Sequence, residues 1–178
     1  VGPGADKRSI DANGSSRVFS INSGITATIS GMTITGGHLT GANHGGAIYN
    51  NGALTINAAM VTGNDSAVYG GAVYTHSTGK LRVVDSTFTL NAAGSTGGAI
   101  FSNSNLTDAL VIERSAFYDN EADSGGAILL DGSDAEVGTA TISNSTFSDN
   151  RALTGGGGAI KNSSGAPPLT IVNSTIAY

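Results

Sequence analysis

A four-residue motif, two glycines and an alanine followed by an aliphatic residue, recurs five times in this chain and limits the folds open to it. Its copies lie at residues 45–48, 70–73, 97–100, 125–128 and 157–160. Successive copies begin 25, 27, 28 and 32 residues apart. A motif that returns at such a period indicates a repeat architecture, in which each copy builds one unit and neighbouring units stack.

Two further series keep step with the glycine motif. The first is Phe-x-x-Asn, at residues 88–91, 117–120 and 147–150, with weaker copies at 61–64 and 34–37. The second is a pair of apolar residues flanking one position: Leu54/Ile56, Leu81/Val83, Leu110/Ile112, Ala140/Ile142 and Leu169/Ile171. Each repeat therefore carries three short segments of period-two alternation bounded by Gly, Asn and Ser, which is typical of β-strands.

Stacking these repeats places their apolar residues in three buried columns. The columns are Ile29, Ile56, Val83, Ile112, Ile142 and Ile171; Ile34, Val61, Phe88, Phe117, Phe147 and Ile176; and Ile48, Val73, Ile100, Ile128 and Ile160. We predict an all-β fold, a right-handed three-sided parallel β-helix (a β-solenoid) of about six coils of roughly 25 to 30 residues. The glycine pairs are predicted to form tight corners. Asn64, Asn91, Asn120 and Asn150 are predicted to stack as a hydrogen-bonded ladder at another corner.

Composition and charge exclude several classes of function. The chain has no cysteine, 12% charged residues and a formal net charge of −5. Disulfides and thiolate metal sites are therefore excluded, and the basic surface of a nucleic-acid-binding protein is missing. No run of residues is long and apolar enough to predict a transmembrane segment. The three histidines, His38, His44 and His76, lack the spacing of a metal site.

The repeat pattern is already running at Val1 and still running at Tyr178, without polar caps. We therefore predict that residues 1–178 form a single β-helix segment, an uncapped part of a longer or polymerising protein. Uncapped coils present unpaired strand edges, so self-association through the coil ends is expected. A self-stacking extracellular fibre subunit is accordingly one alternative function.

The paired Gly-Gly-Ala-aliphatic and Phe-x-x-Asn motifs resemble the passenger repeats of the polymorphic outer-membrane autotransporters. The opening stretch, from residues 2–6 through 10–14 and 18–21 to 29–34, is similar to large bacterial surface proteins with pectin-lyase-like right-handed β-helices. The resemblance implies an extracellular or bacterial cell-surface protein with a structural or adhesive role. Its implied partner is a host-cell or matrix protein or a glycan.

Two outward rows of side chains are candidate binding surfaces. If Ile48 and its equivalents point inward, alternation turns Tyr49, Tyr74, Phe101 and Leu129 outward as an aromatic stripe that could bind sugar rings or protein. The alternative register would reverse the inside and the outside. The second row is a threonine array that resembles the ice-binding faces of β-solenoid antifreeze proteins. Its members are Thr33, Thr35, Thr62, Thr87, Thr89, Thr146, Ser148 and Thr175, interrupted by Met60, Ala116, Tyr118 and Ala177. Threonine also suits any exposed strand, so a purely structural array is the competing interpretation.

The acidic residues provide the only candidates for catalysis or metal binding. Relatives of this fold that cleave acidic polysaccharides use clustered carboxylates with a nearby Arg or Lys. The candidates are Asp119 and Asp149 on adjacent coils, with Glu121, Asp123, Arg114 and Arg151, and the acidic stretch 131–136 is predicted to be a solvated loop. Glu121 and Arg151 are expected to form a surface ion pair. We predict no catalytic residues, no metal or cofactor apart from a weak calcium candidate at Asp119 and Asp149, and polysaccharide binding or cleavage as the remaining alternative.

Overall fold

The computed structural model describes residues 8–132 and 138–177 of the chain. Within them every regular element is a β-strand. The strands of the first half are β1 (Ser9–Asp11), β2 (Phe19–Ile21), β3 (Thr26–Ser30), β4 (Thr33–Thr35), β5 (His38–Leu39), β6 (Ile48–Asn50), β7 (Ala53–Asn57), β8 (Met60–Thr62), β9 (Asp65–Ser66), β10 (Val73–Thr75), β11 (Lys80–Val84) and β12 (Thr87–Thr89). Those of the second half are β13 (Ala92–Thr96), β14 (Ile100–Ser102), β15 (Leu110–Glu113), β16 (Ala116–Tyr118), β17 (Glu121–Ser124), β18 (Ile128–Leu130), β19 (Ala140–Ser143), β20 (Thr146–Ser148), β21 (Arg151–Ala152), β22 (Ile160–Asn162), β23 (Leu169–Val172) and β24 (Thr175–Ile176).

Every strand pairs in parallel with strands of the neighbouring coils, so the sheets run along a solenoid of about six coils. Sheet A has the order β1-β4-β8-β12-β16-β20-β24 and sheet B the order β2-β6-β10-β14-β18-β22. Sheet C has the order β3-β7-β11-β15-β19-β23 and sheet D the order β5-β9-β13-β17-β21. The all-β parallel solenoid predicted from the repeats is confirmed. Sheet D, whose strands follow the Asn corner, is an additional ladder that the sequence pattern did not predict.

The three predicted columns form the core in the predicted register. Ile48 aligns with Val73, and Phe88 aligns with Val61 and Phe117. The strand residues Ile48, Val73, Ile100 and Ile128 are fully buried, which excludes the reversed register. The rings of Phe88, Phe117 and Phe147 stack along the axis, with centroid separations of 4.9 and 4.8 Å.

Two residues predicted to belong to these columns are exposed, and a third, Ile160, is only partly buried. Ile171 and Ile176 are 42% and 44% exposed, because the last described coil packs against the preceding coil on one side only. Among the other sequence-based assignments, residues 2–6 of the opening stretch and residues 133–136 of the acidic stretch lie outside the described residues. No helix in the described part of the chain is long and apolar enough to cross a membrane.

The two glycines of the repeated motif have different structural roles. Gly70 has a left-handed backbone (φ 61°), which turns the chain into strand β10. Gly71 has no such φ, but a Cβ placed on it would lie 2.2 Å from the carbonyl oxygens of both Ala92 and Gly98. The first glycine therefore permits the turn, and the second permits the close approach of adjacent coils.

A ladder of asparagine side chains crosses the corner between sheets A and D. Asn64, Asn91 and Asn120 each donate Nδ2 to the Oδ1 of the next Asn along the rod, at 3.0, 3.0 and 2.9 Å. Each Oδ1 also accepts the backbone N–H of the preceding ladder residue. The residues just before Asn91, Asn120 and Asn150 are Leu90, Asp119 and Asp149, all with positive φ. The ladder thus holds non-glycine residues in a conformation that costs roughly 1–2 kcal/mol each.

A second ladder, made of serines, crosses the corner between sheets C and A. The hydroxyl oxygens of Ser86, Ser115, Ser145 and Ser174 each accept the backbone N–H of the equivalent residue one coil earlier, at 3.1 to 3.2 Å. Each hydroxyl donates to the carbonyl two residues before it. The sequence pattern did not predict this ladder, although a Ser follows the left-handed residues Asp85, Arg114, Asn144 and Asn173.

Coil length varies at only some of the corners. The core residue of sheet C lies five positions before the core residue of sheet A in successive coils, as in Val83 and Phe88 or Ile112 and Phe117. The connection from sheet B to sheet C, by contrast, lengthens from two residues between β6 and β7 to seven between β14 and β15. The C–A corner is therefore invariant. The B–C edge accommodates the largest differences in repeat length, and the connection from sheet D to sheet B, which ranges from three residues between β13 and β14 to eight between β5 and β6, accommodates the rest.

Candidate functional site

The side chains that point away from the core on sheet B form a second hydrophobic cluster. Tyr74, Phe101 and Leu129 are only 7%, 4% and 3% exposed, and Tyr49 and Tyr69 pack against them. Tyr49, Tyr74, Phe101 and Leu129 occupy one column of paired positions, so the structure brings the predicted stripe together. Three of the four are covered, however, and only Tyr49 of the four is partly exposed.

An outer file of residues, those directly before each glycine motif, covers the stripe. His44 bridges to Tyr69, and Tyr69 bridges to Thr96, both in parallel. The His44 ring stacks on Tyr74 at 4.9 Å, and the Tyr69 ring stacks on Phe101 at 4.7 Å. His44 and Tyr69 also stack on each other at 4.7 Å. The rings of two files therefore form one aromatic cluster, in which such contacts stabilise by about 0.5–1.5 kcal/mol per pair beyond area burial.

Arg17 fixes one end of this cluster. Its Nη2 donates to the carbonyl oxygen of His44 at 2.6 Å, and its Nε donates to that of Gly45 at 3.1 Å. The guanidinium carbon lies 5.2 Å from the centroid of the Tyr49 ring, within the range of a cation–π contact. Burial lowers the pKa of Arg17, and the neighbouring Tyr49 opposes that shift.

Beyond Tyr69 the outer file loses its rings, and a cleft of about 400 Å³ opens beside the cluster. The file continues from Tyr69 to Thr96 and Ser124, which carry no aromatic ring. The cleft is lined by Tyr69, Tyr74, Ser95, Thr96, Phe101, Asn103, Leu129, Asp131, Lys161 and Ser163. The cleft therefore combines an aromatic wall, formed by Tyr69, Tyr74 and Phe101, with a polar wall, which includes Thr96, Asn103, Asp131, Lys161 and Ser163.

Two titrating groups in this region are shifted by their surroundings. Burial lowers the pKa of the His44 imidazole, and the positive charge of Arg17 lowers it further. Burial raises the pKa of the Tyr74 hydroxyl, a shift that a hydrogen bond with Asn103 partly opposes. Three buried polar atoms, His44 Nδ1, Thr96 Oγ1 and Asn103 Oδ1, have no hydrogen-bond partner among the described residues. Unpaired buried groups of this kind cost about 1–3 kcal/mol each.

Sequence reasoning found the aromatic stripe of this site and missed the outer file. His44, Tyr69 and Thr96 belong to no strand alternation that marks an outward face. The signal that could have found them is their position, because each directly precedes the first glycine of a motif copy. The polar residues Asn103, Asp131 and Ser163 come from the B–C edge, where the repeat has no fixed length.

The threonine array lies on the outer face of sheet A in two paired columns. One column contains Thr33, Met60, Thr87, Ala116, Thr146 and Thr175; the other contains Thr35, Thr62, Thr89, Tyr118 and Ser148. Thr89 is only 5% exposed. Met60, Ala116 and Tyr118 interrupt these columns, so no continuous column of exposed threonines extends along the described part of sheet A.

The acidic candidates lie on the surface, where they form ion pairs or occupy corners of the coils. Glu121 Oε2 lies 3.2 Å from Arg151 Nη1, so the predicted ion pair is confirmed. Arg114 pairs with Asp85 at 2.7 Å and lowers the pKa of that carboxyl. Asp119 and Asp149 are exposed corner residues. Among the described residues, no three His, Asp or Glu side chains converge as a metal ion would require.

Comparison with known proteins agrees with this architecture. The Chlamydia polymorphic membrane protein repeat matches residues 85–103 and 144–163. Each match runs from the C–A corner, through the Phe and Asn positions, to the glycine motif. The probable autotransporter YfaL of Escherichia coli (strain K12) is 31% identical over 163 residues, which cover 82% of this chain and 13% of that protein.

A second relative comes from a eukaryote. Metabotropic glutamate receptor-like protein R of Dictyostelium discoideum is 33% identical over 107 residues, which cover 59% of this chain and 6% of that protein. The chain thus spans a small part of the length of both relatives. No solved structure matches it.

Proposed function

We propose that this chain, a β-solenoid in which two segments match the polymorphic membrane protein repeat, is a non-catalytic structural and adhesive module of a bacterial cell-surface or extracellular protein. One observation carries the proposal: each repeat match, at residues 85–103 and 144–163, covers the same part of a coil, from the C–A corner to the strand of sheet B. The similarity to the autotransporter YfaL over 82% of the chain supports the same location and role.

The build of the rod supports a scaffolding role. Its corners are held by Asn and Ser ladders that repeat from coil to coil, and its core is a continuous set of stacked aliphatic and aromatic residues. Such a solenoid is held by contacts between neighbouring coils and needs no disulfide. It is a suitable support for side chains that have to be presented outside a cell.

The outer surface of sheet B supports the adhesive part of the proposal. Surface clusters of aromatic residues with a polar rim are typical of binding sites. Here Tyr49 and Tyr69 remain partly exposed beside the covered Tyr74 and Phe101. A host-cell or matrix protein or a glycan is the proposed partner.

Surface display would test this function. We would fuse residues 1–178 to the translocator of an E. coli autotransporter and measure bacterial attachment to cultured epithelial cells and to fibronectin-coated plates. Attachment above that of bacteria displaying the translocator alone is expected. Substituting Tyr49→Ala together with Tyr69→Ala should reduce it, because these rings are the accessible part of the cluster.

The control for folding is Phe117→Asp, which places a charge in the core and should abolish both protease resistance and attachment. A displayed, protease-resistant segment that gives no attachment to either surface would remove the adhesive role and leave a purely structural one.

A further inference from the structure

We propose that the cleft beside Lys161 binds the ring of a neutral saccharide, stacked in line with the rings of Tyr69 and Phe101. This inference rests on the proposed function, since it assigns a ligand class to the outer surface of the same module. It concerns a site formed by the outer file, the end of the aromatic cluster and the B–C edge.

The shape of the site follows from the decreasing size of the outer file. His44 lies against Tyr74, and Tyr69 lies against Phe101, each offset by one coil. Continuing this offset, Thr96 is the outer-file residue for Leu129. Since Thr96 carries no ring, the stack stops there and the 400 Å³ cleft begins. Its volume lies within the range of about 300–1,000 Å³ that is usual for small-molecule sites.

The polar wall supplies both donors and acceptors of hydrogen bonds. Lys161 and Ser163 can donate, while Asp131 can accept. Lys161 has no ion-pair partner within residues 8–132 and 138–177. The Oγ1 of Thr96 and the Oδ1 of Asn103 are also unpaired there. A ligand with several hydroxyl groups would satisfy such a mixed set, since each hydroxyl both donates and accepts.

Charge and shape together favour a neutral sugar. One ammonium and one carboxylate flank the cleft, so neither an anionic nor a cationic ligand is favoured. A pyranose ring has an apolar C–H face that packs on an aromatic ring and an edge of hydroxyls that faces the polar wall. The chain's net charge of −5 disfavours a nucleic-acid ligand.

The intact chain can be titrated with simple sugars. It has no Trp and five Tyr, two of which line the cleft, so tyrosine emission reports on this region. The probes are the methyl glycosides of glucose, galactose and mannose, with methyl glucuronoside and methyl sialoside as acidic comparators. Saturation-transfer NMR on each mixture provides a second readout. We expect a neutral glycoside to bind with a Kd on the order of 1 mM.

A filling substitution locates the binding. Thr96→Phe should continue the ring file into the cleft and weaken binding of the neutral glycoside at least tenfold. Thr146→Phe makes the same change on the exposed face of sheet A and should leave binding unchanged. If Thr96→Phe does not fold, Lys161→Met removes the ammonium donor of the cleft and should weaken binding as well.

Three results would overturn the inference: no binding of any neutral glycoside, binding of the acidic comparators alone, or undiminished binding by both cleft variants. Attachment of displayed bacteria is a separate readout. Sugar binding without attachment would remove the adhesive function and keep the site, whereas attachment without sugar binding would remove the site and keep the function.

Discussion

Asn91 donates its side-chain Nδ2 to the Oδ1 of Asn120, 3.0 Å away on the next coil, and the same Oδ1 accepts the backbone N–H of Asn91 at 3.1 Å. One amide oxygen thus holds both the side chain and the backbone of its neighbour. Asn91 Nδ2 also donates to the carbonyl of Val61 at 2.9 Å. The corner is therefore held by side-chain hydrogen bonds that continue those of the sheets.

Replacing Asn91, which lies in a central coil, with alanine should lower the free energy of unfolding of the solenoid. The substitution leaves the backbone N–H of Asn64 without its partner and removes the bond to the carbonyl of Val61, and a buried unpaired group costs about 1–3 kcal/mol. Urea unfolding followed by circular dichroism measures the loss. Asn162→Ala, at an exposed position of β22, should change the free energy of unfolding by less than about 0.5 kcal/mol. Equal effects for the two variants would contradict the structural role of the ladder.

The central ring of the phenylalanine stack should contribute strongly to stability. Phe117 is fully buried between Phe88 and Phe147, so Phe117→Ala is expected to cost about 3–5 kcal/mol. Tyr118, the next residue, points outward and is partly exposed, so Tyr118→Ala should cost far less. Thermal unfolding of the two variants makes the comparison. A larger loss for Tyr118→Ala would argue against the inward register of sheet A.

The second glycine of the motif should not tolerate a methyl group. In Gly71→Ala the new Cβ would meet two carbonyl oxygens at 2.2 Å, so adjacent coils would have to separate. We expect a loss of several kcal/mol, or failure to fold, in expression and unfolding measurements. The matched control is Gly156→Ala, where a Cβ would meet nothing within 4 Å and φ is not left-handed. It should be neutral or slightly stabilising, by up to about 1 kcal/mol.

The stacked position of His44 should make stability depend on pH. The pKa of His44 is lowered in the folded chain, chiefly by burial, from an ordinary value of about 6.5 in the unfolded chain. The unfolded chain therefore binds this proton more readily. The contribution of the neutral His44 side chain to the free energy of unfolding is therefore complete above about pH 6.5. It is lost as the pH falls from that value through the lowered pKa of the folded chain.

Substitution of His44 with phenylalanine isolates this effect from the other titrating groups. His44→Phe keeps a ring against Tyr69 and Tyr74 but cannot be protonated. We expect the free energy of unfolding of the unchanged chain to fall more steeply between about pH 7 and pH 5 than that of the variant. Urea titrations at a series of pH values give both profiles. Parallel profiles would show that the His44 proton is not coupled to folding.

The repeats made the fold predictable, because the periodic residues fix the register between neighbouring strands as well as the type of secondary structure. Alternation around Ile48 and Phe88 was sufficient to align the core columns coil by coil. The serine ladder escaped prediction because Ser115 and its equivalents are short polar residues that look like ordinary turn residues. The cleft escaped it because Asn103, Asp131 and Ser163 lie on connections of unequal length, so the repeat does not fix their positions beside Lys161.

The unequal connections have a consequence for how such a chain can change. Insertions after the strands of sheet B leave the five-residue step between sheets C and A untouched, as the longer connection after β14 illustrates. The largest length variation thus lies at the B–C edge of the rod, which is also the edge that contributes Asn103, Asp131 and Ser163 to the cleft. A lineage could diversify what this edge contacts, coil by coil, while inheriting an unchanged scaffold, much as antibody loops vary on a constant framework.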